Sequence, residues 1–259
     1  MASNSAPIGI SSRGLLRASA VVLVPSIEIP LLFWTRLTYG DLHPAEVSKT
    51  PPTISAALGE PAVADPFAMI ILLIAALTAV SVTFIVRAYS RSINMTWAVD
   101  QRKNTTAGLL LLFCVLAQAA GTLGMVVTSW VPLGVDRDIH MISSYVFFAG
   151  QSLAVLGSGI LGHMLRSGAE NTGEFGTRVN SMHGMRFKAA VAIAVLALGY
   201  LLLFWIKDFP MPVDNYVVRY VYSSWEIVLL ASFVIYLGLF APDLYWMEQT
   251  DLQRKIAYP

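Results

Sequence analysis

The chain has 259 residues, 56% of them hydrophobic and 13% charged, with a net charge of +1. Soluble domains carry roughly 25% charged residues, so a soluble globular protein is excluded. The near-zero balance gives no electrostatic case for nucleic acid as a partner. Six runs meet the requirement of on the order of 20 apolar residues for crossing a bilayer: residues 15–38, 67–87, 107–130, 139–165, 187–206 and 218–240. The connections are too short for a separate soluble unit. The expected fold is all-α, a polytopic integral membrane bundle of six transmembrane helices forming a single domain over residues 1–259.

The first run is too long for a signal-peptide core, which spans roughly 7–15 residues, and it contains Glu28. It is read as the first membrane helix. Pro25 and Pro30 flank that glutamate, and each removes a backbone donor, so a kink is expected, either one that opens space for a pocket or a packing kink with Glu28 bonded to a neighbouring helix. The loop over 40–65 is apolar and carries Pro51, Pro52 and Pro61. Disordered linkers are more polar, so this segment is expected to fold back as a cap.

The third run contains Cys114, read as a small buried hydrophobe, and Gln118. Ala117, Gly121 and Gly124 give it a small-residue face. In the fourth, Gly150, Ala154, Ser158 and Gly162 recur every four residues. Small residues at that spacing let two helix backbones approach closely, within one chain or between copies. His140 opens this helix and Gln151 lies inside it. The sixth run holds Glu226, a carboxylate that is costly in hydrocarbon without a partner. Tyr and Trp near the run ends, Tyr200 and Tyr222 among them, read as interfacial belts.

Twelve of the 17 basic residues fall in the N-terminus, the second and fourth loops and the tail. The other five are Arg36, Lys49, Arg137, Lys207 and Arg219. By the positive-inside rule both termini are expected to be cytoplasmic. The sequons Asn94-Met95-Thr96 and Asn104-Thr105-Thr106 then face the cytoplasm and are expected to be unmodified. Which membrane holds the protein, plasma membrane or endomembrane, is left open.

That topology puts Glu28, Glu226 and His140 in the outer half of the bundle, with Gln118 and Gln151 deeper. Three uses of such groups stay open. A carboxylate–histidine pair could act as a general base in acyl transfer or hydrolysis. The carboxylates could engage a lipid headgroup. They could also brace helices through hydrogen bonds. No H-E-x-x-H, P-loop, G-x-S-x-G or dinucleotide pattern is present, and no metal or cofactor is expected. His163 and His183 are read as solvated loop residues.

Several ordered motifs run through the chain: Pro51-Pro52-x-Ile54-Ser55-x-x-Leu58-Gly59, then Gly121-x-x-Gly124-Met125, then His140 at the start of the fourth helix. Tyr220-x-Tyr222-Ser223-x-Trp225-Glu226 and Phe240-x-Pro242-Asp243 complete the set. In this order they resemble the DRAM/Frag/Sfk family of six-helix membrane proteins. That family's pattern usually carries an acid at position 56 and often an Asp at 141; this chain has Ala56 and Met141. The resemblance implies an association with lipid remodelling, GPI-anchor lipid maturation, lipid asymmetry or autophagy regulation. It carries over only His140 and Glu226 as candidate site positions.

The expected function is therefore engagement of lipid headgroups in an outward-facing polar pocket, with a role in lipid remodelling or its regulation. Its candidate ligand-binding residues are Glu28, His140, Glu226, Gln118 and Gln151. Catalysis stays open, with His140, Glu226 and Glu28 as candidates. The alternative is a non-catalytic scaffold or accessory subunit that docks a partner helix, or a second copy, on the stripe of Gly150, Ala154, Ser158 and Gly162.

Overall fold

The computed structural model describes residues 12–169, 182–209 and 214–246. Among the described residues there are helices and no strands. The helices are α1 (Ser12–Leu42), α2 (Pro44–Val47), α3 (Ile54–Ala57), α4 (Pro61–Thr96), α5 (Gln101–Trp130), α6 (Arg137–Ala169), α7 (His183–Ile206) and α8 (Asn215–Gly238). Residues 241–246 form a further short helical stretch after a turn. Six helices are long and apolar enough to cross a membrane. The chain is an integral membrane protein. Arg178, Arg254 and Lys255, counted in the charge asymmetry, lie outside the described residues.

Helix ends extend past the apolar runs. α4 begins at Pro61, where the apolar run begins at 67. Glu60 caps its N-terminus by accepting from Ala62 N, and Pro61 occupies the first turn, where its missing N–H costs nothing. Hydropathy reads only the part of a helix inside hydrocarbon. The 36 residues of α4 rise about 54 Å, well beyond the roughly 30 Å core. The connection expected over 40–65 therefore contracts to residues 43–60, and it contains α2 and α3.

The six long helices form a closed ring in chain order: α1 on α4, α4 on α5, α5 on α6, α6 on α7, α7 on α8, and α8 back on α1. The closest approach is between α5 and α6. A Cβ placed on Gly150 would lie 2.6 Å from the Gly121 backbone nitrogen, and one on Gly124 would lie 2.7 Å from Phe147 N. Only glycine permits that separation. The rest of the stripe is also used inside the chain. The Ser158 hydroxyl lies 3.0 Å from the Tyr236 hydroxyl of α8, and Gly162 faces His183 and Tyr89.

α1 stays helical through Pro25 and Pro30, with Pro25 beside Gly238 of α8. Trp225 Nε1 donates to the Leu196 carbonyl at 2.9 Å and ties α8 to α7. At the end of the bundle opposite the 43–60 segment, Arg186 is fully buried. It donates to Asp243 and, at 3.2 Å, to the Leu239 carbonyl, and it lies over the Phe240 ring. His183 is also buried and in contact with Arg186. That corrects its reading as a solvated loop residue: α7 starts at His183, so the first turn faces inward. His163 is exposed, with its ring stacked on Phe187.

Candidate functional site

The 43–60 segment folds back onto one end of the ring. Pro51, Pro52, Ile54, Ala57 and Leu58 are buried, so the apolar character of the loop is used as packing. α3 is a single turn capped by Thr53, whose hydroxyl accepts from Ala56 N at 3.0 Å. Its first N–H, on Ile54, donates to Glu226 Oε2 at 2.7 Å. Glu226, 2% exposed, is thus the anchor of the cap. Backbone donors at the start of a helical turn have no partner within it, and the carboxylate supplies one.

A second tie lies at the edge of the cap. His43 Nε2 sits 3.0 Å from Glu60 Oε2. This hydrogen bond from His43 and the one from Ala62 N hold the Glu60 carboxyl below its ordinary range. A group whose folded pKa is depressed contributes stability above its unfolded value and loses it as pH falls through the folded one. Hydrogen exchange of residues 43–64, corrected for intrinsic rates, is expected to increase between pH 6 and pH 3. Glu60→Gln is expected to show a smaller change. The effect is small because the His43–Glu60 pair is partly exposed to solvent.

Beyond Ile54, Glu226 meets an aromatic pair. The Tyr200 hydroxyl lies 3.4 Å from Glu226 Oε1 and 2.9 Å from the Tyr222 hydroxyl. The two rings stack at 5.1 Å. These tyrosines correct the belt reading: both are buried and face one another across α7 and α8.

On the far side of the pair a groove of about 1250 Å³ runs between the cap, α6, α7 and the first turns of α8. Tyr145, Phe148, Leu153, Leu198, Leu201 and Phe204 are among its apolar walls. Leu153, Leu198 and Leu201 are exposed, so the groove opens sideways toward lipid. Lys49, Arg137, Lys207 and Arg219 line it near the cap, against the single acid Glu46. Lys207 and Arg219 pair with Asp208. Among the described residues, Lys49 and Arg137 have no ion-pair partner. Arg36 lies close by, reaching Ser223 at 3.3 Å and Ser224 at 3.5 Å.

The expected site residues therefore separate. His140 lines the groove. Its Nδ1 is 2.8 Å from the Val131 carbonyl, which fixes that nitrogen as the donor and leaves Nε2 without a partner. Among the described residues no carboxylate bonds His140, so the carboxylate–imidazole pair needed for general-base work is not assembled. Glu28, Gln118 and Gln151 line an interior chamber of about 80 Å³. Glu28 and Glu226 together line a smaller cavity of about 40 Å³ between the two. Ring closure of α1 on α8 brings those carboxylates to one place. Glu226 stands behind the wall and meets the groove-lining Tyr200.

The cap, the α5–α6 crossing, His140, Glu226 and Asp243 all lie within the stretch of residues 15–247 matched by the family model Frag1/DRAM/Sfk1/Cwh43P N-terminal domain. The chain belongs to this family. No curated protein and no solved structure matches it. In this Frag1/DRAM-family chain Ala56 and Met141 both line the groove.

The sequence did not single out Tyr200, Tyr222 or the groove-lining basic residues as a site. Lys49, Arg137, Lys207 and Arg219 are scattered over four segments, and only the ring order gathers them.

Proposed function

We propose that this chain holds an anionic phospholipid in the groove between α6 and α7, with the headgroup at the cap and the acyl chains along the apolar walls, and that it acts in lipid remodelling or its regulation. One observation carries the reading. Of the five basic residues expected on the outer side, four line the groove; the fifth, Arg36, bonds Ser223 of α8. Anionic headgroups gain on the order of 1 kcal/mol per nearby Lys or Arg. The walls below are apolar and open to the bilayer, as acyl chains require. By the charge asymmetry the cap face is the outer or lumenal one.

The scaffold alternative has less support, because the fourth-helix stripe meets α5, α7 and α8 of the same chain.

The test is photo-labelling with phosphatidylserine carrying a diazirine in one acyl chain, in mixed vesicles, with label sites mapped on the protein. Labelling is expected on α6 and α7. Arg137→Glu combined with Lys207→Glu is expected to lower it about tenfold, while a phosphatidylcholine probe is little affected. Equal labelling by both probes, or labelling spread evenly round the bundle, contradicts the reading.

A further inference from the structure

The interior chamber is distinct from the groove and does not depend on the lipid reading. It is bounded by α1, α4, α5, α6 and α8 and is partly open between them. Two of its polar side chains are buried without a partner: Glu28 is 4% exposed and Gln151 is 8% exposed. Among the described residues neither makes a hydrogen bond or an ion pair. Gln118 donates its amide to Thr122 at 3.2 Å, which leaves its carbonyl oxygen unused. Thr78 and Thr122 add hydroxyls to the lining.

The charge pattern is one-sided. Neither this chamber nor the adjoining cavity that Glu28 shares with Glu226 is lined by a Lys, Arg or His. Glu226 already accepts from Ile54 N and Tyr200. Glu28 has no such donors. An ionisable residue inside a membrane bundle is costly without a partner and marks ion or substrate pathways. Apart from the sulfurs of Cys114 and Met125, the donors on the chamber lining are hard oxygens: one carboxylate, two amide carbonyls and the hydroxyls of Thr78, Thr122, Ser158, Tyr89 and Tyr236. Such ligands suit alkali and alkaline-earth cations. A single carboxylate balances one positive charge, which favours a monovalent ion over a divalent one. The volume is ample, since one water needs only about 10–15 Å³ measured the same way.

We propose that Glu28, with Gln118, Gln151, Thr78 and Thr122, forms an intramembrane site for a small monovalent cation of the sodium class. The ion supplies the counter-charge that the chamber lining lacks, and its binding ties α1, α4, α5 and α6 together.

Binding to the folded state raises the melting temperature in step with ligand concentration. The purified protein in detergent is heated in NaCl, KCl or choline chloride, at constant ionic strength and pH 7.5. The melting temperature is expected to rise with Na⁺ relative to choline and to saturate. Glu28→Gln is expected to abolish the rise. Gln151→Leu keeps the carboxylate and is expected to move half-saturation to higher Na⁺, so the site remains testable if Glu28→Gln does not fold. Identical melting in NaCl, KCl and choline chloride overturns the proposal and leaves a site for protons and water only. A Na⁺ response that survives in Glu28→Gln, or that is unchanged in Gln151→Leu, overturns it too. Phosphatidylserine labelling repeated in choline chloride reads the groove separately, so failure of one idea is distinguishable from failure of the other.

Discussion

Asp243→Ala is expected to destabilise the bundle by about 3–5 kcal/mol, the cost of stripping the partner from a buried charge. Arg186 is 0% exposed and Asp243 is 5% exposed. With the carboxylate gone, Arg186 keeps only the Leu239 carbonyl, the His183 ring nitrogen and the face of Phe240. None of these carries a compensating charge. The loss is read by unfolding the purified protein in mixed micelles with increasing denaturing detergent, alongside the wild type. Arg186→Met with Asp243→Leu is expected to recover much of the stability, because replacing a buried ion pair with apolar groups is often neutral or stabilising. A single substitution as mild as a surface change would mean that the pair contributes little to holding α7 against the end of α8.

Glu226→Ala is expected to release the cap. It leaves the Ile54 N–H buried and unpaired and removes the acceptor for Tyr200. A hydrogen bond to a charged or buried acceptor contributes about 2 kcal/mol. That is a roughly 30-fold rise in local opening, visible as faster hydrogen exchange at residues 51–58. Glu226→Gln retains one carbonyl oxygen for Ile54 N and is expected to show a smaller rise. Exchange elsewhere in α8 should barely change in either variant, since the Ile54 bond fastens the cap and not the ring. If the cap exchanges at the wild-type rate in Glu226→Ala, the packing of Ile54, Ala57 and Leu58 holds it alone.

Much of the fold was legible in the sequence because bilayer crossing imposes one strong rule, a long apolar run per helix. The six spans and the close α5–α6 face follow from that rule and from the spacing of small residues. Helix ends were less visible: the polar turns of α4 beyond the hydrocarbon carry no hydropathy signal, and the cap of Glu60 on Ala62 is local chemistry. The cap could be anticipated from an apolar, proline-rich loop, but its anchor could not. Glu226 and Ile54 are far apart in the chain and meet only because the ring closes α1 on α8. Angular position around the ring could not be read from order along each helix. That is why His140 was grouped with Glu28, though one lines the groove and the other the interior chamber. His183 was misread for a related reason: a histidine at a helix start looks solvated until Arg186 and Asp243 are packed beside it.

The central claim, an anionic lipid in the groove, is tested most directly by blocking the groove. Ala197 lies on its α7 wall, and Ala197→Trp would fill the space that an acyl chain needs. Native mass spectrometry of protein equilibrated with equal amounts of phosphatidylserine and phosphatidylcholine reports which lipid is retained. The wild type is expected to keep phosphatidylserine preferentially, and Ala197→Trp to lose it while melting at nearly the same temperature. Equal retention of the two lipids, or a phosphatidylserine adduct undiminished in Ala197→Trp, would contradict the account.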